Sequence, residues 1–325
     1  MKLAILGTGL IVKQLVEVYD QLGIEKTYLL GTPHTEEETK QIATEHHFDG
    51  YDLNYEDILK RDIDTVYVAV PNFLHYSFVK KALEAGKHVI VEKPSFVTYK
   101  ELEEMAELAE KNHVILVEAM NVHDLPAFLS IKEDVKKLGD IKIVIFNYTQ
   151  YSSRYDAFQQ GNLLPVFDPK KAGGALMDLN VYNIHAIVDL FGKPNAVRYI
   201  ANIERDIDTS GILTYEYDTF KAVSIGAKDC KAPVACTIQG DKGYIRITTP
   251  VNFMTSYEVY DNAGNGEVKE FVNEYRLLAE FREFIKMIDG RDYERAREKM
   301  EISKICLQII EEARKQEGIK FCDEI

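Results

Sequence analysis

The segment His88-Val89-Ile90-Val91-Glu92-Lys93-Pro94 constrains this chain more than any other stretch. It is a short apolar strand pattern that ends abruptly in a carboxylate, an ammonium group and a proline. A second strand pattern, Leu3–Leu6, ends in the glycine turn Gly7-Thr8-Gly9. Ligands of an open parallel sheet bind off the carboxyl ends of its strands. The two strand ends therefore point to one crevice, in which the glycine turn suits a pyrophosphate and Lys93 reaches a neighbouring group.

The length and composition limit the class of protein. A chain of 325 residues predicts two domains rather than one. The net charge of -14 argues against a nucleic-acid partner, and no apolar run approaches the ~18 residues of a membrane span. The four cysteines form no C-x-x-C pair and have no histidine at metal spacing. We therefore expect a reduced cytoplasmic protein without a metal site.

Residues 1–120 alternate strand and helix patterns. The β-branched run Thr65–Val70 suits a strand that is covered on both faces, and the helix pattern His75–Ala85 ends at Gly86. Such repeated βαβ units predict a Rossmann-type, doubly wound parallel α/β sheet.

The pattern changes in residues 121–325. From Val197 to Tyr260 strand patterns follow one another directly, which predicts an α+β domain with a mostly antiparallel open sheet. Two helix patterns, Tyr275–Asp289 and Arg295–Gln316, close the chain, and we expect both to pack in this second domain.

The first glycine turn is the expected cofactor site. Its residues and the start of the following helix are Gly7, Thr8, Gly9, Leu10 and Ile11. Glycines here permit a tight turn and close approach of a pyrophosphate to the backbone. The turn departs from G-x-G-x-x-G because Val12 occupies the third glycine position.

The end of the second strand addresses the choice between NAD and NADP. NAD sites usually place an acid about 20 residues after the glycines. Here the strand ends Leu30-Gly31-Thr32-Pro33-His34, and the first carboxylate is Glu36. Thr32 and His34 can donate hydrogen bonds to a 2′-phosphate, although no arginine is present. The sequence therefore favours NADP slightly over NAD.

Val70-Pro71-Asn72, after the fourth strand, is the third element of the predicted crevice. Asn72 offers an amide to the cofactor, while an ordinary strand-to-helix turn is the alternative interpretation.

Lys93 is the first candidate for the chemistry. A lysine after a buried strand is costly to desolvate unless it is paired or used. An ion pair with Glu92 is the structural alternative. The functional interpretation places a cation beside the nicotinamide, where it polarises a carbonyl or lowers the pKa of a neighbouring acid.

The second candidate is the run from Gly173 to His185, in which Asp178, Tyr182 and His185 are spaced i, i+4 and i+7. On an α-helix this spacing places all three on one face. Tyrosine titrates near ~10 and must be lowered to act as a base, which an adjacent Lys93 would do. The alternative is a satisfied buried network.

Together, the glycine turn, Glu92-Lys93-Pro94 and the Gly-Gly-Ala-Leu-Met-Asp-x-x-x-Tyr run resemble the Gfo/Idh/MocA family of NAD(P)-dependent oxidoreductases over essentially the whole chain. The resemblance implies that Lys93 and Tyr182 are the catalytic pair, that Asp178 assists, and that Glu92 and Lys93 border the cofactor. It also implies a homodimer or homotetramer formed through the C-terminal sheet.

Departures from the family pattern concern the substrate. Asn121 and His123 stand where the dihydrodiol dehydrogenase branch has tryptophan and arginine, and Ala172 replaces a glycine. The resemblance therefore implies hydride transfer to or from a sugar, inositol or related polyol, without fixing which one. Asn121, Arg154, Asp178, His185 and Lys93 are the expected substrate contacts; a solvent-exposed Arg154 is the alternative. A regulator without turnover, and an enzyme with tightly bound cofactor, are the other hypotheses.

Overall fold

The computed structural model describes residues 1–272 and 274–321. These residues divide into two units. The first contains residues 1–119 and 274–304, and the second contains residues 120–272 and 305–321. The boundary predicted at residue 120 did not anticipate that residues 274–304 return to the first unit.

The first unit is a six-stranded parallel sheet with strand order β3-β2-β1-β4-β5-β6. Its strands are β1 (Lys2–Leu6), β2 (Lys26–Leu30), β3 (Gly50–Asp52), β4 (Thr65–Val68), β5 (His88–Glu92) and β6 (Leu116–Ala119), and its first helices are α1 (Leu10–Val16), α2 (Glu36–Glu45), α3 (Tyr55–Ile58), α4 (His75–Glu84) and α5 (Tyr99–Lys111). This order confirms the predicted Rossmann-type sheet.

The burial of the central strands explains why they could be predicted from the sequence. Leu3–Leu6 of β1 and Val66–Val68 of β4 are fully buried, as expected for parallel strands that are covered on both faces. β1 pairs with β2 on one side and with β4 on the other. The strand order therefore reverses at β1, and such a switch point is where doubly wound sheets bind ligands.

The second unit contains an eight-stranded sheet with order β14-β13-β12-β11-β7-β10-β9-β8. Its elements are α6 (Pro126–Val135), β7 (Ile141–Thr149), α7 (Tyr155–Gln159), α8 (Val181–Phe191), β8 (Ala196–Glu204), β9 (Ile207–Glu216), β10 (Lys221–Ala227), β11 (Cys236–Gly240), β12 (Gly243–Ile247), β13 (Ser256–Asp261) and β14 (Gly266–Glu270). Within the described residues β7 and β10 form the one parallel pair, which confirms the mostly antiparallel prediction. Strand β14 was missed, because its charged, exposed sequence has no apolar alternation.

Two further helices are α9 (Arg276–Asp289) and α10 (Tyr293–Gln316). The placement of α9 in the second domain was wrong, since its apolar side, with Leu277, Phe281 and Phe284, belongs to the core of the first unit. An apolar stripe predicts a helix that buries one face, but it does not say which sheet covers that face. The division between the units falls within α10, after Lys304. In the part of the chain that the structure describes, no helix combines the length and apolarity needed to cross a bilayer.

Candidate active site

Gly7 lies at the switch point of the first unit. Its N–H donates to the carbonyl oxygen of Leu30 over 2.9 Å, and its φ is +109°. A Cβ atom at this position would lie 2.8 Å from the carbonyl oxygen of Ala69. Only glycine therefore fits this turn between β1 and α1, which packs against the end of β4, and the missing side chain leaves backbone accessible to a pyrophosphate.

The glycine turn has an acidic neighbour that the sequence analysis missed. Thr8 Oγ1 donates to Glu38 Oε2 over 2.8 Å, and Lys13 Nζ lies 2.6 Å from Glu38 Oε1. The hydrogen bonds from Lys13 and Thr8 lower the pKa of Glu38. Glu36 is the first carboxylate after β2 in the sequence, but a 3₁₀ turn at Pro33–Thr35 and the first turn of α2 bring Glu38 back to the glycines.

The other residues predicted after β1 and β2 lie at the surface or at its border. Thr32 and His34 are exposed, and the Thr32 N–H donates to Thr35 Oγ1 over 2.9 Å. Leu10 is 64% exposed directly after the glycine turn, and Ile11 is partly buried. Leu10 thus forms an apolar surface directly after the glycine turn, and Thr32 and His34 form a polar surface after β2.

Val70, Pro71 and Asn72 form the turn after β4, and a buried histidine fastens it. His75 Nε2 lies 2.9 Å from the carbonyl oxygen of Val70, and its Nδ1 lies 3.1 Å from that of Ser95. One imidazole thereby joins the segments that follow β4 and β5. His75 was not predicted as a site residue, because it lies within an otherwise ordinary amphipathic helix.

Lys93 follows β5, and the carboxylate before it is embedded in hydrogen bonds. Glu92 accepts a short hydrogen bond from the Tyr67 hydroxyl, and the Lys93 N–H donates to Glu92 Oε2 over 3.3 Å. Burial raises the pKa of Glu92, although Tyr67, Lys93 and Arg276 act in the opposite direction. The chain beyond Pro94 is held as well, since the Ser95 N–H donates to Glu118 Oε1 over 2.8 Å.

In the second unit, Asp178 and Tyr182 lie at the start of one helix. Leu176–Asn180 is a π-helical turn that leads into α8, and π turns often occur at functional sites. Asp178 Oδ2 accepts a 2.6 Å hydrogen bond from Lys228 Nζ. Tyr182 is buried, and its ring centre lies 6.0 Å from that of Tyr148.

The imidazole of His185 lies beside that of His123. His185 is 1% exposed, and its Nδ1 lies 3.0 Å from Nε2 of His123. Nδ1 of His123 lies 2.8 Å from Asp189, which also binds Lys132 over 2.6 Å. The expectation of one shared face assumed a regular α-helix and therefore does not account for the π turn. His185 joins a buried polar network, which is the alternative interpretation for this residue.

The two remaining substrate candidates are placed differently. Asn121 is buried and donates through Nδ2 to the carbonyl oxygen of Asn252 over 2.8 Å. Arg154 is exposed at the N-terminus of α7, as the alternative held. Tyr148, the neighbour of Tyr182, lines a cavity of about 780 Å³ together with Gln150, Tyr151 and Lys231. Ligand pockets in proteins have volumes of roughly 300–1,000 Å³.

Asp208 supports the π turn from β9. Its Oδ2 accepts hydrogen bonds from the Leu176 N–H over 2.6 Å and from the Tyr199 hydroxyl over 2.8 Å. Burial raises the pKa of Asp208 to about 6. This contact was not predictable from the sequence, since 32 residues separate Leu176 and Asp208. Among residues 1–272 and 274–321, no group of three His, Cys, Asp or Glu side chains is arranged to hold a metal ion.

The switch-point glycine turn and parallel sheet define the first unit as a dinucleotide-binding Rossmann domain. Residues 1–120 match the model of an oxidoreductase family with an NAD-binding Rossmann fold, and residues 133–246 match the C-terminal domain model of the same family. The chain belongs to the Gfo/Idh/MocA family of oxidoreductases.

Similar proteins cover nearly the whole chain. The chain is 33% identical to the scyllo-inositol 2-dehydrogenase (NADP(+)) IolU of Bacillus subtilis, over 99% of this chain and 98% of the relative. The fold is similar to that of KijD10, a 3-ketoreductase of Actinomadura kijaniata solved with NADP and TDP-benzene. The TM-score is 0.85 at 19% identity, over 99% of this chain and 98% of that one. A levoglucosan dehydrogenase with NADH and levoglucosan gives 0.83 at 18% identity, over 97% and 98%.

Proposed function

We propose that the protein is an NAD(P)-dependent dehydrogenase that moves hydride between the nicotinamide and a secondary alcohol or ketone of a sugar, inositol or related polyol. The observation that carries this proposal is the Asp178 carboxylate, which is held by Lys228 one helical turn before Tyr182. A partly exposed carboxylate and a phenol are groups that bind and deprotonate hydroxyls. The inositol dehydrogenase relative supports the substrate class.

Each candidate residue has a distinct task in this proposal. The bound nicotinamide supplies or accepts the hydride, and Gly7 fits such a cofactor because no side chain can occupy its turn. Tyr182 removes the hydroxyl proton during oxidation and returns it during reduction. The Lys93 ammonium stabilises the negative charge that develops on the same oxygen. Asp178 accepts a hydrogen bond from a hydroxyl of the substrate and orients the ring.

NADP is the proposed preferred cofactor. Thr32 and His34 follow β2, and no carboxylate lies between the end of this strand at Leu30 and Glu36. The Bacillus subtilis relative is named for NADP(+). Glu38 opposes this preference, because its carboxylate lies at Thr8 on the glycine turn. Lys13 compensates part of that charge over 2.6 Å.

We propose further that the protein forms a homodimer or homotetramer through the open sheet, in the cytoplasm. Ile143, Ile200 and Ile212 are 41%, 55% and 44% exposed, and the strand registers place them on one face of β7, β8 and β9. Exposed apolar patches of this kind mark association surfaces. Light scattering that gives a monomer at micromolar concentration would contradict this part of the proposal. Cys230 and Cys236 are free thiols, which fits a reducing compartment.

The decisive experiment is a nicotinamide absorbance assay with NAD and NADP, each offered against sugars, inositols and diols. We expect turnover with at least one polyol. Lys93→Met and Tyr182→Phe should each reduce kcat by at least about a hundred-fold while cofactor still binds, since they remove charge stabilisation and proton transfer. Full activity in either variant refutes the assigned role. Cofactor binding without turnover on any substrate would favour a regulator, and cofactor that survives purification would favour the tightly bound form.

A further inference from the structure

Lys228 is a buried lysine that directly follows β10. It is 2% exposed, and its Nζ donates to Asp178 Oδ2 over 2.6 Å and to the carbonyl oxygen of Val166 over 3.2 Å. The same Nζ lies 4.9 Å from the centre of the Phe167 ring. The Asp178 side chain, by contrast, is 36% exposed. The pair is therefore asymmetric, with an enclosed ammonium and a carboxylate that is still accessible.

This arrangement is not explained by stability alone. Desolvating an ammonium is unfavourable, and replacing a buried ion pair by apolar side chains is often neutral or stabilising. What a buried partner does provide is a fixed orientation and a preference for the ionised form of the neighbouring acid. Both properties affect the accessible member of the pair, Asp178.

The surroundings of Lys228 restrict its position from several elements. Its N–H donates to the carbonyl oxygen of Thr209 in β9 over 2.8 Å. The positive charge of Lys228 lowers the pKa of the buried Asp208, whereas burial has the larger effect and raises it. The next residue, Asp229, accepts hydrogen bonds from Thr209 and Ser210. The backbone of Lys228 is thus held by Thr209, and its ammonium is held between the carbonyl oxygen of Val166 and the carboxylate of Asp178.

We propose that Lys228 is a positioning residue, which holds the Asp178 carboxylate ionised and in one orientation so that it accepts a hydrogen bond from a substrate hydroxyl. The inference rests on the proposed dehydrogenase function, in which Asp178 contacts the substrate. Neither the family resemblance nor the sequence pattern pointed to Lys228, since 50 residues separate it from Asp178.

The first test measures the ionisation of Asp178 without any turnover. Aspartate carboxyl signals are followed by NMR against pH in the intact protein, and Asp178→Asn assigns the relevant signal. In Lys228→Met the pKa of Asp178 should rise by about one unit or more, because the compensating charge is lost. Lys228→Arg keeps the charge and should restore most of the shift. Lys242→Met, at an exposed turn lysine of the same unit, is the matched control.

The second test asks whether this ionisation matters for substrate. Lys228→Met should reduce kcat/KM by at least about ten-fold and move its acidic limb to higher pH, with thermal unfolding recorded alongside. In the Asp178→Asn background, Lys228→Met should have little further effect on kcat/KM, because the two residues act as one unit. A purely structural lysine would give additive losses and an unchanged pH profile.

The outcomes separate the two proposals. An unchanged Asp178 titration in Lys228→Met overturns the positioning role, whether or not the enzyme turns over any polyol. If the pKa of Asp178 shifts in Lys228→Met but the losses in kcat/KM of Lys228→Met and Asp178→Asn are additive, Lys228 does not act on the substrate through Asp178. Absence of turnover in the wild type, despite the expected titration shift, instead contradicts the proposed function and leaves the ion pair established.

Discussion

Thr8 donates a 2.8 Å hydrogen bond to Glu38, which places an ionised acid against the glycine turn of the dinucleotide site. In NAD-specific Rossmann domains an acid near this turn holds the ribose hydroxyls and repels a 2′-phosphate. Here the acid comes from the first turn of α2 rather than from the end of β2. Glu38 and its partner Lys13 are therefore in a position to tune the choice between NAD and NADP.

Replacing Glu38 should change this choice in one direction. In Glu38→Gln the affinity for NADP should rise by about three- to ten-fold while that for NAD changes little or falls, because only NADP carries the extra negative charge. Fluorescence titrations with both cofactors measure this. Glu37→Gln, one residue earlier and exposed, is the control for net charge. Equal effects of the two variants would place Glu38 outside the ribose site.

The buried His75 makes the stability depend on pH. Burial lowers its pKa, so the folded state favours neutral imidazole. The unfolded state then binds more protons below about pH 6.5, and stability should fall as the pH drops below that value. In His75→Phe this part of the pH dependence should disappear, with a loss of roughly 1–3 kcal/mol at pH 8 from the carbonyl that loses the imidazole N–H donor. Denaturant unfolding between pH 5 and 8, on this variant and on the control His46→Phe, checks it; parallel curves would refute the assignment.

Asp134 should stabilise the second unit except in acid. It binds Lys137 and Lys269 over 2.7 Å each and Tyr257 over 2.6 Å. Against the effect of burial, these bonds lower the pKa of Asp134 to about 2. Its contribution is therefore complete above about pH 4 and is lost as the pH falls towards 2. Asp134→Asn should reduce the free energy of unfolding by roughly 1–2 kcal/mol at neutral pH, whereas the exposed Asp140→Asn should change it little. A deficit that persists at pH 2 would contradict this.

The first sheet was predictable because its signals are local. Each parallel strand is a short apolar run, and the glycine turn and Lys93 directly follow such runs. A strand that is buried on both faces consists of consecutive apolar residues, and such a run can be recognised in the sequence. The same locality placed the candidates Lys93, Asp178 and Tyr182 on the correct elements, although their catalytic roles stay predictions.

The supports of these candidates were not predictable, because they are distant in sequence. Asp208 and His75 lie in elements that otherwise look like an ordinary strand and an ordinary helix, and Lys228 directly follows such a strand. No periodicity marks the partner of such a residue. The π turn at Leu176–Asn180 was invisible for a related reason, since its sequence continues the apolar pattern of an α-helix.

Gly174 offers the sharpest test of how the π turn is built. Its φ is +105°, and a Cβ there would lie 2.1 Å from Asp208 Oδ1, the carboxylate that binds the Leu176 N–H. Gly161 has a similar φ of +96°, but nothing lies within 4 Å of its Cβ position. Gly161→Ala should therefore cost only the backbone strain of about 1–2 kcal/mol.

Gly174→Ala carries the same strain and must also displace Asp208, so it should destabilise by at least about 2 kcal/mol more. It should also reduce turnover through Asp178 and Tyr182. Chemical denaturation of both variants, with activity measured below the unfolding range, compares the two glycines directly. Equal losses would mean that Asp208 moves without consequence and that the π turn does not depend on it.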